Sequence, residues 1–486
     1  MFLLLILVVF RLGLAENDAI KCPANPITPN DSETVYITPK PKPPLVEPEV
    51  RTRIPAGTDC KIDFKVPAGY FLTIDYSMSG VAGSDVFNLA SILGWQSKNL
   101  DCEGICYIKL TNWNGTLKVS SPKGTMSLHL VFRYEPLFKY TTQVVHTGSY
   151  LATELQTRTI YKLFSPTNDR LSITVQTNKT SDLKLLQINV FFGDDIRTVG
   201  LIGQLGQLLD DKGRYDYNGS TLYLVRPHSL KKSEGVIVVN DASDVEALSS
   251  YSVAVINNND AVTTTVQSGS ACTFIAPTFD RLNVKSLALS AASGKALFQG
   301  QSPTQNLPKI LKYTNDTDLN TRFPQLIPTQ MFTVYAIDTN VTLSVGSEKS
   351  ALSTLSEFRK GVLYSQNLWN GMHNGTGYLY LRSDDQTKFY NFTINFDMAS
   401  INHRDTSIFV GISTFDGKFN VHKRFIDTDE LTGSVSGVGN SIQVYIDKTV
   451  DNTDIRLTYT AAVLNSATSK FMTITIFLPV VFHKYF

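Results

Sequence analysis

The chain has little of what several classes of protein require. Its 44 Lys and Arg residues nearly cancel its 43 Asp and Glu residues, so no excess charge attracts nucleic acid or an acidic membrane surface. No apolar run approaches the roughly 20 residues of a membrane-spanning helix. Long runs with a helical period are scarce, whereas Thr, Ser, Tyr and Phe recur throughout the 486 residues. The composition favours strands, and the length favours about two to four domains.

Motifs of catalysis and metal binding are missing or incomplete. The serine in GSVSG at 433–437 is out of place for a nucleophile elbow, and GLIGQLG at 200–206 lacks the dinucleotide-binding spacing. Pairs of acids in predicted loops, among them Asp427 with Glu430, suit either a calcium site or a hydrolase. Turn residues and solvated faces explain these acids equally well, and we favour that interpretation. The sequence therefore predicts no enzyme, no cofactor and no resident metal.

The two ends of the chain indicate export. FLLLILVVF at 2–10 is followed by small residues up to Ala15, the pattern of a signal peptide over 1–15. A Pro-rich segment follows at 16–53 and is predicted to be extended. Small residues and then an apolar run occupy 464–486, which is typical of a glycolipid-anchor signal. A final strand fits this tail too, so a membrane tether stays open, and we expect the protein outside the cell.

Export places the five cysteines in an oxidising compartment. Cys22, Cys60, Cys102 and Cys106 lie in the first quarter of the chain and predict two disulfides, for which three connectivities exist. We favour Cys22 with Cys60 and Cys102 with Cys106. A metal site at Cys102 and Cys106 would lack a second ligand pair. Cys272 is left over, either buried and free or paired between chains.

Exported chains carry glycans on exposed Asn-x-Ser/Thr triplets. The triplet at Asn391 lies within a predicted strand and is the least certain acceptor. Eight such triplets occur, at Asn30, Asn114, Asn178, Asn218, Asn315, Asn340, Asn374 and Asn391.

An internal repeat predicts the architecture. SPTNDRLSITVQT at 165–177 resembles APTFDRLNVKSLA at 276–288, and YFLTIDYSMSG at 70–80 resembles YNFTINFDMAS at 390–400. Each phrase begins an alternating strand at an apolar anchor residue, and the anchors follow one another at nearly constant spacing. The four anchors are Leu72, Leu171, Leu282 and Phe392.

The repeat unit has the size of a β-sandwich, in which two sheets share one core. We therefore predict an all-β chain of about four tandem β-sandwich modules of a jelly-roll or CUB-like type. Short helices are expected in connections, at 198–211 and 351–361. The predicted modules are 54–136, 153–256, 264–346 and 370–463.

The first module carries a family resemblance. IPAGTDCKIDFKVPAGYFLTI at 54–74, with VPAGYF at 66–71, and GTMSLHLVFRY at 124–134 resemble the nematode CUB-like domain family over about 22–136. The resemblance implies an extracellular β-sandwich, often glycosylated and membrane-tethered, with links to infection and stress responses. It supplies no catalytic residue. The acidic set with which CUB modules hold calcium has no evident counterpart here, which puts calcium binding in doubt.

The function predicted from these features is a non-catalytic secreted or surface-anchored glycoprotein. Its partner would be an extracellular protein or glycan, bound through loops on rigid sandwiches. Two alternatives are a structural, protective coat component and an extracellular hydrolase that uses loop carboxylates.

Overall fold

A computed structural model shows that the chain is built almost wholly of strands. It describes residues 20, 22–29, 34–39, 51–91, 96–97, 106–111, 114–177, 188–226, 235–257, 261–279, 281–304, 307–316, 318–347, 355, 358–364, 369, 377–400, 407–425, 433–447 and 454–464. The predicted signal peptide, most of the Pro-rich segment and the tail beyond 464 lie outside these residues. No helix within the described ranges is both long and apolar enough to cross a bilayer.

The first module is a sandwich of two sheets. Its strands are β1 (Thr34–Tyr36), β2 (Thr52–Arg53), β3 (Thr58–Lys65), β4 (Tyr70–Ser79), β5 (Val86–Ser91), β6 (Gln96–Ser97), β7 (Cys106–Thr111), β8 (Asn114–Ser121) and β9 (Ser127–Pro136). One sheet runs β1-β9-β4-β7, with β2 also pairing with β9, and the other runs β3-β8-β5-β6. Leaving β2 aside, the other eight strands have the order of a jelly roll.

The second module follows a 3-10 helix at Leu137–Lys139. Its sheets run β11-β18-β13-β16 and β10-β12-β17-β14-β15. The strands are β10 (Thr141–His146), β11 (Tyr150–Ala152), β12 (Thr159–Phe164), β13 (Leu171–Thr177), β14 (Asn189–Phe192), β15 (Gly200–Gln204), β16 (Arg214–Tyr217), β17 (Thr221–Val225) and β18 (Gly235–Asp241), and the helices are α1 (Leu205–Leu208) and α2 (Ala242–Glu246).

The third module repeats this order. Its sheets run β20-β27-β22-β25 and β19-β21-β26-β23-β24. The strands are β19 (Tyr251–Val255), β20 (Val262–Val266), β21 (Ala271–Ile275), β22 (Leu282–Leu289), β23 (Lys295–Gly300), β24 (Lys309–Thr314), β25 (Gln325–Ile327), β26 (Met331–Ile337) and β27 (Val341–Gly346), with a 3-10 helix at Leu319–Arg322.

The fourth module has two four-stranded sheets, β28-β35-β30-β33 and β29-β34-β31-β32. Its strands are β28 (Arg359–Tyr364), β29 (Gly377–Arg382), β30 (Tyr390–Ser400), β31 (Ser407–Ser413), β32 (Phe419–Phe425), β33 (Ser434–Gly439), β34 (Ser441–Asp447) and β35 (Asp454–Val463). The prediction of an all-β chain of tandem β-sandwich modules is confirmed.

The four anchor residues occupy the same place in the four modules. Each lies on the third strand of its four-strand path, between the module's last strand and β7, β16, β25 or β33 respectively, and each is fully buried. We call this sheet the anchor sheet of a module and the opposite one its partner sheet. Each module also has an apolar core of its own.

Strand pairing does not follow the module limits expected from the sequence. Strands β10 and β11 lie before residue 153 but pair within the second module. Strand β19 lies inside 153–256, yet it pairs in parallel with β21 of the third module. Strand β20 begins before 264, and β28 lies before 370 although it pairs with β35. The four ranges as separate folding units stay a prediction.

Strands occupy part of both segments in which short helices are predicted. In 198–211, residues Gly200–Gln204 form β15, which pairs with β14, and only one helical turn follows at Leu205–Leu208. In 351–361, residues from Arg359 onward form β28. At β15 and at the start of β28 backbone pairing within a sheet outweighs helix propensity, whereas the short helix predicted in 198–211 is present at Leu205–Leu208.

One predicted disulfide lies within the described residues. Cys22 and Cys60 are joined, with their Cα atoms 5.6 Å apart. This bond ties the Pro-rich segment to strand β3 of the first module. Cys102 lies outside the described residues, so its pairing with Cys106 stays a prediction. Cys272 is buried and free in the core of the third module.

The first two modules pack face to face. Phe71 points out of the first module's anchor sheet and lies 6.1 Å from Phe191 and 6.2 Å from Tyr140, measured between ring centres. Ile160 and Tyr223 of the second module's partner sheet complete this apolar cluster. VPAGYF, the phrase behind the family resemblance, therefore supplies a junction between modules.

Gly69 of this phrase should tolerate no side chain. Its φ is +76°, and an added Cβ would lie 2.7 Å from the carbonyl oxygen of Arg197 in the second module. Gly69→Ala should therefore lower the free energy of unfolding by about 2 kcal/mol or more in urea denaturation. Gly57→Ala is the matched control, because its φ is +81° with no atom within 4 Å. Equal losses in the two variants would contradict a close contact at this junction.

The second and third modules also pack face to face. Val236 and Val238 point out of the second module's anchor sheet and contact Val253, Ile275 and Met331 of the third module's partner sheet. The Tyr150 hydroxyl donates a hydrogen bond to Gln330 across the same junction, at 3.1 Å.

The fourth module joins the third through an edge strand instead. The Arg359 guanidinium, on β28, donates hydrogen bonds to the carbonyl oxygens of Phe323 and Pro324. The Gln325 side chain makes two hydrogen bonds with the backbone of Val362. The partner sheet of the fourth module, unlike those of the second and third, is therefore not covered by the preceding module.

Candidate functional site

The outward face of the partner sheet differs in burial among the modules. A tyrosine of this sheet points outward in the second, third and fourth modules. Tyr223 is 3% exposed because the first module covers it, and Tyr335 is 8% exposed beneath Lys309, whereas Tyr445 is 38% exposed. Large exposed aromatic surface is informative, since soluble proteins bury most of it. The fourth module thus leaves open a face that the second and third modules use for packing.

Strand register assembles this open face. In β31, Ile408, Val410 and Ile412 point into the core, so the residues between them point outward. Phe409 lies directly between Arg424 of β32 and Tyr445 of β34. In the next row, Gly411 lies between His422 of β32 and Gln443 of β34. We call this set the outer face; it consists of Phe409, Phe419, His422, Arg424, Gln443 and Tyr445.

Three rings of the outer face surround a glycine. The Phe409 ring centre lies 5.4 Å from that of Phe419 and 6.4 Å from that of His422. A Cβ at Gly411 would lie 2.6 Å from the Phe419 ring and 2.9 Å from the Phe409 ring. The glycine lets the two rings settle on the sheet, and Phe419 is nevertheless 43% exposed. The result is a cluster of aromatic rings, with Phe409 and Phe419 packed edge to face, that faces solvent.

Cations border the aromatic rings. On the outer face the Arg424 guanidinium donates a hydrogen bond of 3.0 Å to the Ser407 hydroxyl. Lys423 pairs with Val410 and points to the core side of this edge strand, where its ammonium lies 4.8 Å from the ring centre of the core residue Phe425. At the other side of the sheet the Arg382 guanidinium lies 3.5 Å from the Phe415 ring centre. The strands of this sheet carry three Arg or Lys residues and one Asp. Within the described residues, neither Lys423 nor Arg424 pairs with a carboxylate.

The partner sheet of the first module, which is also uncovered, has a different surface. There Lys61 pairs with Asp63 and Lys118 with Asp59, each at 3.3 Å. These exposed ion pairs neutralise one another and contribute little to stability. That sheet is an ordinary solvated face, so an open partner sheet in this chain is not aromatic by default.

The loop carboxylates that suggested calcium or catalysis serve as turn residues where the structure describes them. Asp385 accepts hydrogen bonds from the hydroxyl and the backbone N–H of Thr387, and these bonds lower its pKa. Asp210 accepts from the backbone of Lys212 and Arg214. Across the described ranges, no three His, Cys, Asp or Glu residues come together as metal ligands. Asp427 and Glu430 lie outside those ranges.

Lys309 forms a second polar cluster, near the junction of the second and third modules. Its ammonium lies 3.6 Å from the Tyr335 ring centre and donates a hydrogen bond to the Gln299 side chain, which also accepts from the Tyr335 hydroxyl at 2.7 Å. Lys309 as a whole is exposed, and its ammonium packs against the Tyr335 ring. Desolvation lowers the pKa of Lys309 to about 8, against the attraction of Asp244, which raises it.

This lysine should make stability depend on pH. Between the folded pKa of about 8 and an unfolded value of about 10.4, the unfolded chain binds more protons than the folded chain. The free energy of unfolding should therefore rise with pH through this window. Lys309→Met should remove that rise. The difference in the free energy of unfolding between wild type and variant, measured by urea denaturation, should therefore change from about pH 7.5 to 9.5. A constant difference would contradict a desolvated ammonium.

The predicted glycan acceptors differ in exposure. Asn340 is half-buried, and its side-chain oxygen accepts a hydrogen bond from the Ser268 backbone N–H. Acceptors Asn30, Asn178 and Asn374 lie outside the described residues. The exposed acceptors are Asn114, Asn218, Asn315 and Asn391.

Comparisons with known proteins give no family. No protein-family model and no curated protein matches the chain. Among solved structures, the CUB1-EGF-CUB2 region of human MASP-1/3 covers 39% of this chain and 97% of its own, with 5% identity and a TM-score of 0.15. The match to the same region of rat MASP-1 covers 43% of this chain and 99% of the rat chain, with 10% identity and a TM-score of 0.16. The match to tripeptidyl peptidase 2 covers 89% of this chain and 27% of the peptidase chain, with 8% identity and a TM-score of 0.15.

These scores are too low to carry an argument about fold or function. The fold therefore rests on the strand order of the chain itself.

Proposed function

We propose that the protein is a secreted or surface-anchored, non-catalytic CUB-like glycoprotein that binds an extracellular partner through the outer face. The observation that carries this proposal is the aromatic and cationic partner sheet of the fourth module. Equivalent sheets of the second and third modules are binding surfaces within the chain, each covered by the module before it. A role in defence or the stress response is the finer part of the proposal and follows from the family resemblance.

The packed modules suit display of such a surface. The two face-to-face junctions and the buried hydrogen bonds of Arg359 limit motion between neighbouring modules. Glycans on the exposed Asn residues would shield other faces, and the outer face carries none of the eight acceptor triplets. We further propose that the tail beyond 464 attaches the protein to a membrane through a glycolipid. The C-terminus of the secreted protein, read by mass spectrometry, tests this attachment.

The binding proposal is tested by a screen of the secreted full chain on glycan arrays and microbial surfaces. The double variant Phe419→Ala/Tyr445→Ala should bind its ligands at least tenfold more weakly than wild type. Phe192→Ala is the control, because Phe192 is 46% exposed on the second module, away from the outer face. Equal binding by wild type and the double variant would contradict the proposal, and so would a lack of any ligand.

A further inference from the structure

We propose that the ligand of the outer face is an acidic glycan, a polysaccharide that carries carboxylate or sulfate groups. This inference rests on the proposed function, since it names the chemical class that the same surface would bind. Its basis is the combination of exposed aromatic rings with cations along one edge of the sheet.

The aromatic rings favour a sugar over a protein. The partner sheet of the third module binds its neighbour with Val253, Ile275 and Met331, and that of the second module combines Ile160 and Val225 with Phe191 and Tyr223. The outer face has Phe409, Phe419 and Tyr445 instead, and the large exposed hydrophobic residues of the fourth module's described strands are all aromatic. An aromatic ring packs against the C–H face of a pyranose and leaves the sugar hydroxyls free for hydrogen bonds. Gln443 and His422 are placed to make those bonds.

The charge of the sheet favours an acidic ligand. Lys423 and Arg424 follow His422 in strand β32, with no acid among Phe419–Phe425. The chain as a whole has a formal net charge of only +1, so this concentration of cations is local. Carboxylate and sulfate groups accept charge-assisted hydrogen bonds from guanidinium groups, often in pairs. A row of acidic sugars along β32 would place its rings on the aromatic surface and its charges beside Arg424, which shares this face with Phe409. Lys423 pairs with Val410 and points to the other side of this edge strand.

The same charge disfavours a second copy of the chain as the occupant. In a two-fold dimer the outer face would meet its own copy, and none of the six residues of that face is an acid that could pair with Arg424 of the other copy. The only other uncovered partner sheet, among the described strands, is the charged face of the first module, which offers no apolar surface to the rings. An anionic lipid surface shares the acidic chemistry and is separated in the experiment.

The test measures binding of the secreted full chain to immobilised heparin and hyaluronan, with dextran as a neutral glycan and phosphatidylserine vesicles as the lipid arm. We expect binding to heparin or hyaluronan that weakens as salt is raised, with none to dextran. Lys423→Gln/Arg424→Gln and Phe419→Ala/Tyr445→Ala should each weaken it at least tenfold, with unchanged urea denaturation midpoints. The charge-matched control Lys61→Gln/Lys118→Gln, on the first module, should leave it unchanged.

Three results would overturn the inference: heparin and hyaluronan binding equal in all variants, binding to vesicles alone, or self-association that the outer-face variants abolish. If the screen finds a neutral glycan or a protein bound through the outer face, the acidic ligand is wrong and the proposed function stands. If no ligand depends on the outer face, both fail.

Discussion

Trp369→Ala should lower the free energy of unfolding by about 3–5 kcal/mol, the usual cost of deleting a large buried aromatic side chain. Trp369 lies between β28 and β29 of the fourth module, yet its side chain is buried in the core of the third. Its ring centre lies 5.4 Å from that of Tyr364 and 6.4 Å from that of Phe332. The chain thus turns back into one module on its way to the next, and urea denaturation should report the loss.

The control for this variant is Phe358→Ala. Phe358 lies just before β28 and is 62% exposed, so its loss should change stability by no more than about 0.5 kcal/mol. Similar urea denaturation midpoints for Trp369→Ala and wild type would show that the Trp369 side chain is not packed into the core of the third module.

Phe71→Ala should have a comparable effect at the first junction, again about 3–5 kcal/mol. Phe71 is fully buried although it points away from the core of its own module, so its burial depends on the second module. The variant should also increase hydrogen exchange of the backbone around Val199 and Phe191, because their cover is lost. Phe192→Ala, next to Phe191 but exposed, is the control. A loss confined to the first module, with unchanged exchange in the second, would contradict a shared cluster.

The sequence predicts the modules because each core is local. An anchor such as Leu72 or Phe392 begins a strand that alternates between core and outside, and this alternation can be read without knowing the partner strands. The module limits are less readable. Strands β10 and β19 are the first strands of their modules, and they pair in parallel with β12 and β21. No local sequence pattern encodes this choice of partner strand.

The outer face is missed by sequence reasoning for a related reason. Tyr223, Tyr335 and Tyr445 occupy similar positions on alternating strands, and the sequence around each predicts only that it points away from its own core. Whether a neighbouring module covers it depends on how modules join, which is decided by junction residues such as Gly69 and Arg359. FNVHKRF at 419–425 is the signal that was available, since a strand with three basic side chains in a row is unusual for a buried face.

The central claim is that the four sandwiches are packed into one array that fixes the outer face at its far end. The most direct test is a spin-label distance between Lys61 on the first module and Lys418 on the fourth, whose side chains are 68% and 84% exposed. Labels attached through introduced non-natural amino acids leave the cysteines intact. Packed junctions predict one narrow distance distribution, which Phe71→Ala broadens. A broad distribution in the wild-type protein would show modules that move independently, and would contradict the account.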